Sequence, residues 1–155
     1  MIRIQYDDFD TADIYRYLRQ AQPGKTGAIV LFTGLVRDFG DHSDVTAIEL
    51  EHYPGMTEKS LQHIVNQASE RWCINSYAVV HRVGRLKCDE QIVLVGVSSE
   101  HRGDAFAACE YIMDYLKSEA PLWKKEIRDH AADWVEAKES DTQRKQQWEQ
   151  KRHSS

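Results

Sequence analysis

Apolar residues recur along this chain in two periods, and the switches between them mark out its elements. Ile2, Ile4 and Tyr6 alternate with polar residues and predict a short first strand. Ile14, Tyr17 and Leu18 then follow helical spacing behind Asp10 and Thr11, either of which can cap the helix start. Gln22-Pro23-Gly24 breaks the chain. The run from Gly27 to Arg37 is apolar and β-branched, which predicts a buried strand with Gly34 at a bulge or close backbone approach. The polar stretch 38–44 is a loop and a candidate flap, and a second strand from Val45 to Tyr53 ends at Pro54-Gly55.

The period then changes. Leu61, Ile64, Val65, Ala68 and Trp72 form one stripe of a helix capped by Thr57, and strands follow over 77–83 and 91–98. The segment IVLVGV in the second of these is apolar at consecutive positions, the signature of a central strand buried on both faces. It delivers the chain to His101 and Arg102 and to a helix expected to open at Asp104. Phe106, Cys109, Ile112, Met113 and Leu116 make the apolar face of that helix, and Pro121 forces Ala120 out of helical conformation. Segments 122–127 and 134–137 predict a strand pair. From Glu139 the chain is almost wholly polar except for Trp148, so residues 139–155 are expected to be a loosely docked helix or a disordered tail. Strands mixed with three helices, without regular βαβ alternation, predict an α+β domain over 1–138 with a largely antiparallel or mixed sheet.

Composition narrows the functions. A formal charge of −5, from 20 basic and 25 acidic residues, argues against a nucleic-acid binder that works by phosphate neutralisation. With no apolar run of membrane-spanning length and no signal-peptide pattern at the first residues, a cytoplasmic location is expected. Cys73, Cys88 and Cys109 have no CxxC spacing, and the seven histidines form no recognised metal motif, so neither a disulfide frame nor a metal is predicted. Nor is there a nucleotide-cofactor glycine motif or a serine-hydrolase elbow, and no cofactor is expected.

Basic residues at the ends of the predicted elements are the main chemical signal: Arg37, Arg102, Lys117, Lys124, Lys125 and Lys138. Any one of them alone is more simply a solvated surface charge, and Lys117 could merely compensate a helix dipole. Together they could hold a phosphate or carboxylate by charge-assisted hydrogen bonds. Lys117, in the last turn of its helix, and Lys124, just past the proline, can converge. His101 and Arg102 lie too far along the helix axis to join them without a neighbouring element or a second subunit.

Six segments, FTGLVR (32–37), LEHYPGMTEKSL (50–61), HRVG (81–84), SSEHR (98–102), YIMDYLKSEAPLWKKE (111–126) and WVEAKESD (134–141), together resemble the family of large, catalytic subunits of molybdopterin synthase. The resemblance implies an α/β-hammerhead fold and a homodimer completed to a heterotetramer by two small ubiquitin-like sulfur-carrier subunits. Each small subunit would insert a Gly-Gly C-terminus bearing a thiocarboxylate. The implied sulfurtransferase reaction places two sulfurs on cyclic pyranopterin monophosphate, forming the dithiolene of molybdopterin in molybdenum cofactor biosynthesis. By family motif Lys117 and Lys124 are catalytic, and Arg37, His101, Arg102, Lys117, Lys124, Lys125, Glu126 and Lys138 line the substrate site. Two positions depart from the family pattern: Leu35 stands where lysine is usual, and Lys138 where arginine is usual. The expected result is rearranged phosphate contacts with retained chemistry. A different class of function, a non-catalytic module that captures a partner's acidic C-terminal tail, would use the same basic cluster without needing Lys117 or Lys124 chemically.

Overall fold

The computed structural model describes residues 1–38, 45–128, 132–135 and 139–153, the backbone alone for 132–135, 139–140 and 151–153. Its elements in chain order are β1 (Ile2–Gln5), α1 (Thr11–Gln20), β2 (Ala28–Leu35), β3 (Val45–His52), α2 (Met56–Arg71) and β4 (Ser76–Arg82). There follow β5 (Gly84–Leu86), β6 (Gln91–Ser99), α3 (Arg102–Glu119), β7 (Leu122–Arg128), β8 (Ala132–Val135) and α4 (Glu139–His153). The predicted α+β class holds, but the strands divide between two four-stranded sheets rather than one. The first has the order β1-β4-β6-β2, with β1 and β4 parallel and the other pairs antiparallel; the second, β5-β3-β7-β8, is antiparallel throughout.

The first sheet is covered on both faces, which explains the unbroken apolar run of β6. Alternate residues of β4 face opposite ways. Val79 joins Val93, Val95 and Val97 against Leu61, Ile64, Val65 and Ala68 of α2 and Ala108, Ile112 and Leu116 of α3. Ala78, Val80 and Leu94 point the other way, onto Ile14 and Leu18 of α1. Gly96 keeps this second layer thin: a Cβ there would lie 2.6 Å from Leu18 Cδ1 and 2.8 Å from Leu31 Cδ2. A smaller cluster of Val36, Ile48, Leu50 and Leu86 packs on one face of the second sheet. The register of β2 against β6 shifts between Gly34 and Leu35, where the bulge was expected.

Helix starts depart from expectation for identifiable reasons. Asp10 caps α1 by accepting from the Ala12 amide at 2.9 Å. Thr57 does not cap α2, which begins after Gly55 at φ +82°, with the Glu58 carboxylate accepting from the Gly55 amide. The fully buried Thr57 hydroxyl reaches instead to the Pro121 carbonyl at 2.9 Å, tying the start of α2 to the junction of α3 and β7. Asp104 is not the cap of α3 either. The helix opens two residues earlier behind His101, and the Asp104 carboxylate is taken by the Cys73 amide at 3.1 Å. Phe106, expected in the core, is 62% exposed beside the edge strand β2, whereas Cys109, Ile112, Met113 and Leu116 are buried as the spacing predicts. Tyr17 is likewise exposed, so the apolar face of α1 rests on Ile14 and Leu18.

Beyond Glu139 the polar tail forms α4, and α4 packs on α3 through a few specific contacts. Arg144 Nε donates to Asp114 at 2.8 Å, the Trp148 indole N–H donates to the other oxygen of the same carboxylate, and Lys145 pairs with Glu119 at 2.9 Å. Trp148 meets Trp72 and Tyr111 edge to face, and the Arg71 guanidinium lies over all three rings. Cations over aromatic faces and edge-on ring pairs are attractive, so one tryptophan recruits an otherwise polar helix.

Candidate active site

Because β6 and α3 run in opposite directions across the first sheet, the ends of the sheet carry different residues. Ser99 ends β6 opposite Ala28, and Gln91 begins it opposite Leu35. Helix α3 leaves from the Ser99 end with His101 and Arg102 and returns to the Gln91 end with Lys117 in its last turn. Fifteen residues of helix separate Arg102 from Lys117, about 22 Å along the axis at 1.5 Å per residue. Arg37 follows β2 at the Lys117 end. One chain therefore brings Arg37 and Lys117 to one end and leaves His101 and Arg102 at the other. All four are exposed.

The second sheet adds the next residues at the Lys117 end. Ala120 leaves the helix in extended conformation, as the proline requires, and β7 starts at once. Opposed residues on antiparallel strands share a face, and along β7 the faces alternate. Lys124 lies opposite Leu50 and Glu126 opposite Ile48, both in the apolar cluster that also holds Val36, the neighbour of Arg37. Lys125 lies opposite Glu49, on the other face, so the run Lys124-Lys125-Glu126 is split by the pleat. Glu126 is paired with Arg128 at 3.1 Å. Lys138 and the flap residues 39–44 lie outside the described residues.

Two segments fix this end. Val36 bonds through its amide to the Glu90 carbonyl at 2.9 Å and through its carbonyl to the Asp89 amide at 2.8 Å, which sets where Arg37 emerges. Arg82, buried on the α1 face, donates to the Tyr6 carbonyl and to the Gln91 carbonyl at 3.0 Å, tying β1, β4 and β6 together. A buried charge bonded in this way is a structural pin.

Three residues of this end were not singled out by the sequence as site residues: His81, His52 and Glu58. Their one signal was position within the HRVG and LEHYPGMTEKSL segments. His52 ends β3, and its Nε2 lies 3.8 Å from Glu58. His81 is buried at the end of β4, and its pKa is lowered to about 4, first by burial and then by the positive charges of Lys117 and His52. Among the cysteines, Cys109 is a core residue whose thiol burial pushes up to about 12, well away from thiolate chemistry. Among the described residues no three His, Cys, Asp or Glu side chains gather as metal ligands, and no helix is long and apolar enough to cross a membrane.

Among the described residues, an open edge runs between the two ends. β2 is the outer strand of the first sheet, and Phe32 and Leu35 on it, with Phe106 on α3 nearby, are exposed. An unpaired strand edge flanked by large apolar side chains is a template for another chain.

Comparison with known proteins places the chain among relatives. The MoaE protein family matches residues 4–119. A Vibrio cholerae protein named molybdopterin synthase catalytic subunit is 51% identical over 148 residues, covering 96% of this chain and 97% of its own. Among solved structures, the molybdopterin biosynthesis MoaE protein from Burkholderia ambifaria superposes with a TM-score of 0.82 at 50% identity, over 96% of this chain and 97% of its own. The molybdopterin synthase of Staphylococcus aureus superposes with a TM-score of 0.77 at 34% identity, over 86% of this chain and 95% of its own.

Proposed function

The chain belongs to the MoaE protein family, and from that premise we infer that it is the catalytic subunit of a molybdopterin synthase. Its substrates are cyclic pyranopterin monophosphate and the C-terminal thiocarboxylate of a small ubiquitin-like subunit, and its product is the dithiolene of molybdopterin. It works as a homodimer within a heterotetramer, in the cytoplasm.

One observation carries the assignment of residues. The cations of the proposed site sit at opposite ends of α3, with an open strand edge between them. A two-fold contact along that edge sets the strands antiparallel and lays the Arg37 end of one protomer beside the His101 end of the other. Each of two identical sites then takes Arg37, Lys117, Lys124 and Glu126 from one chain and His101 and Arg102 from its partner. In this reading Arg37, Arg102 and His101 hold the pterin phosphate, Arg37 and Arg102 through planar guanidinium forks suited to it. Lys125 and Lys138 add positive charge at the rim. Lys117 and Lys124 stabilise the negative charge that develops on the acyl carbon's oxygen as sulfur leaves the thiocarboxylate. Leu35, where the family usually has lysine, lies on the open edge, so its apolar side chain serves the contact between protomers and the phosphate rests on the remaining cations.

The test is single-turnover formation of dithiolene from the thiocarboxylated partner and the pyranopterin. Lys117→Ala is expected to lower the rate by about a thousandfold with the partner still bound. Lys117→Ala and Arg102→Ala, each inactive alone, are then mixed under conditions that exchange protomers. A shared site restores activity, because each mixed dimer regains one intact set. Continued inactivity would refute the sharing, and full activity of Lys117→Ala would refute its chemical role in favour of simple tail capture.

A further inference from the structure

The C-terminal part of α3, residues 110–119, carries one lysine and three carboxylates: Lys117 with Glu110, Asp114 and Glu119. Asp114 is the neighbour of the lysine. Side chains three residues apart on a helix stand about 5–6 Å from each other at Cβ, and an acid and a base at that spacing pair unless something else claims one of them. Glu110 lies about two turns back, and Glu119, two residues on from Lys117, projects from the far side of the helix. On α3 alone, the lysine would spend much of its time on Asp114.

The structure pairs each of these carboxylates with α4 instead. Arg144 donates through Nε to one oxygen of Asp114 at 2.8 Å and through a terminal nitrogen to Glu110. The Trp148 indole N–H takes the other oxygen of Asp114, and Lys145 Nζ lies 2.9 Å from Glu119. Asp114 is the most enclosed of the three, its side chain 9% exposed, so both its oxygens are committed away from the lysine. Lys117 is exposed and, among the described residues, takes part in no ion pair. Two cations of α4 thus answer three carboxylates of α3, and the lysine among them is left over. Trp148 already seats α4 on the Trp72 and Tyr111 rings, so the ion pairs add something besides adhesion.

We propose that Arg144 is a positioning residue for Lys117, acting through Asp114: by holding that carboxylate against α4 it keeps the lysine ammonium unpaired and free to turn toward the reacting anion. This rests on the catalytic reading of Lys117 given above. An uncompensated carboxylate one turn away would do harm in two ways. It would draw the ammonium back onto its own helix, and its field would oppose the negative charge that develops on the acyl oxygen. The Arg144 guanidinium cancels both at their source. Lys145 does the same for Glu119 with less effect, because Glu119 faces away from Lys117. The polar tail therefore belongs to the working enzyme without placing a group of its own in the reaction.

The experiment compares Arg144→Ala, Asp114→Asn and the double variant with wild type, as full chains in the assembled complex, by single-turnover formation of dithiolene. Arg144→Ala is expected to lower the rate about three- to tenfold, the scale of one uncompensated charge near the site. Asp114→Asn, which removes the charge and keeps an acceptor for Trp148, is expected to stay within about twofold of wild type. The double variant is expected to return to that same level, because without the carboxylate there is nothing for Arg144 to withhold. A purely structural role for Arg144 gives the opposite result: Asp114→Asn removes a second α4 contact and cannot rescue. A wild-type rate in Arg144→Ala, or a double variant no faster than Arg144→Ala, overturns the proposal. Should Arg144→Ala fail to fold, Arg144→Gln with and without Asp114→Asn is read in the same way. A fully active Lys117→Ala would overturn the catalytic reading and this inference with it, whereas an inactive Lys117→Ala beside an unaffected Arg144→Ala would overturn this inference alone.

Discussion

The two sheets share one chain and differ in almost everything else. The first is sealed on both faces, with Val79, Val80, Leu94, Val95 and Val97 all at or near zero exposure. The second has a smaller apolar cluster around Ile48, Leu50 and Leu86, and its inner strand β7 carries Lys124, Lys125, Glu126 and Arg128 half-buried. A charge taken partly out of water must be offset by partners, so this sheet adds less to stability per residue than the first. The lesson is a division of labour: the first sheet carries most of the buried core, and the second, with the last turn of α3, carries the groups to which the proposed function gives the chemistry.

That division can be broken by substitutions on either side of it. Leu94→Ala removes a fully buried side chain between α1 and the first sheet and is expected to cost about 3 kcal/mol in chemical denaturation. A loss below about 1 kcal/mol would mean that this layer does not carry the fold.

The next effect in size is one of pH. His81 has a folded pKa of about 4 against an ordinary value of 6.5. Between these values the unfolded chain binds a proton that the folded chain refuses, so stability is complete above pH 6.5 and falls as the pH drops toward 4. The loss from pH 7.5 to 5 is expected to be about 2 kcal/mol, and His81→Gln is expected to abolish that part of the slope. Thermal melts of both proteins across the range measure it.

Trp148→Ala tests whether the polar tail is part of the structure. It deletes the ring contacts with Trp72 and Tyr111 and the bond to Asp114, for an expected loss of about 1.5 kcal/mol. Because Asp114 keeps Arg144, the charge is not stranded. Smallest of all is the stability change in Lys117→Ala. An exposed lysine in the last turn of a helix contributes under about 1 kcal/mol through the helix dipole, so its melting curve should nearly overlay the wild type while its activity is lost. A large loss of stability would merge the two regions that the comparison separates.

The elements were legible because their signals are local. Pro121 stops α3 whatever surrounds it, and the two-sided burial of β6 is written in consecutive apolar residues. The partners of a strand are not local, and no periodicity says that β3 joins β7 rather than β4; two sheets were therefore read as one. Capping failed at Asp104 and Thr57 for the same reason, since each side chain was claimed by a residue distant in sequence, Cys73 and Pro121. The basic cluster was readable as a set of element ends, and its splitting along α3 followed from helix length. His81 was not readable from periodicity, because a histidine in a strand looks like an ordinary polar position until the fold closes over it. The run Lys124-Lys125-Glu126 reads as one patch in one dimension and as two faces on a pleated strand.

The pairing of β3 with β7 also orders events in time. It joins residues 45–52 to residues 122–128, across α2, β4, β5, β6 and α3, whereas β4 and β6 meet across a short span. Closing the longer loop costs more chain entropy, so the β4–β6 pair can form while the pairing of β3 with β7 is still open. In pulse-labelled hydrogen exchange during refolding, the amides of β4 and β6 should gain protection before those of β3 and β7. Lys124 and Lys125 on β7 therefore take their final places only once residues 45–52 and 122–128 have met.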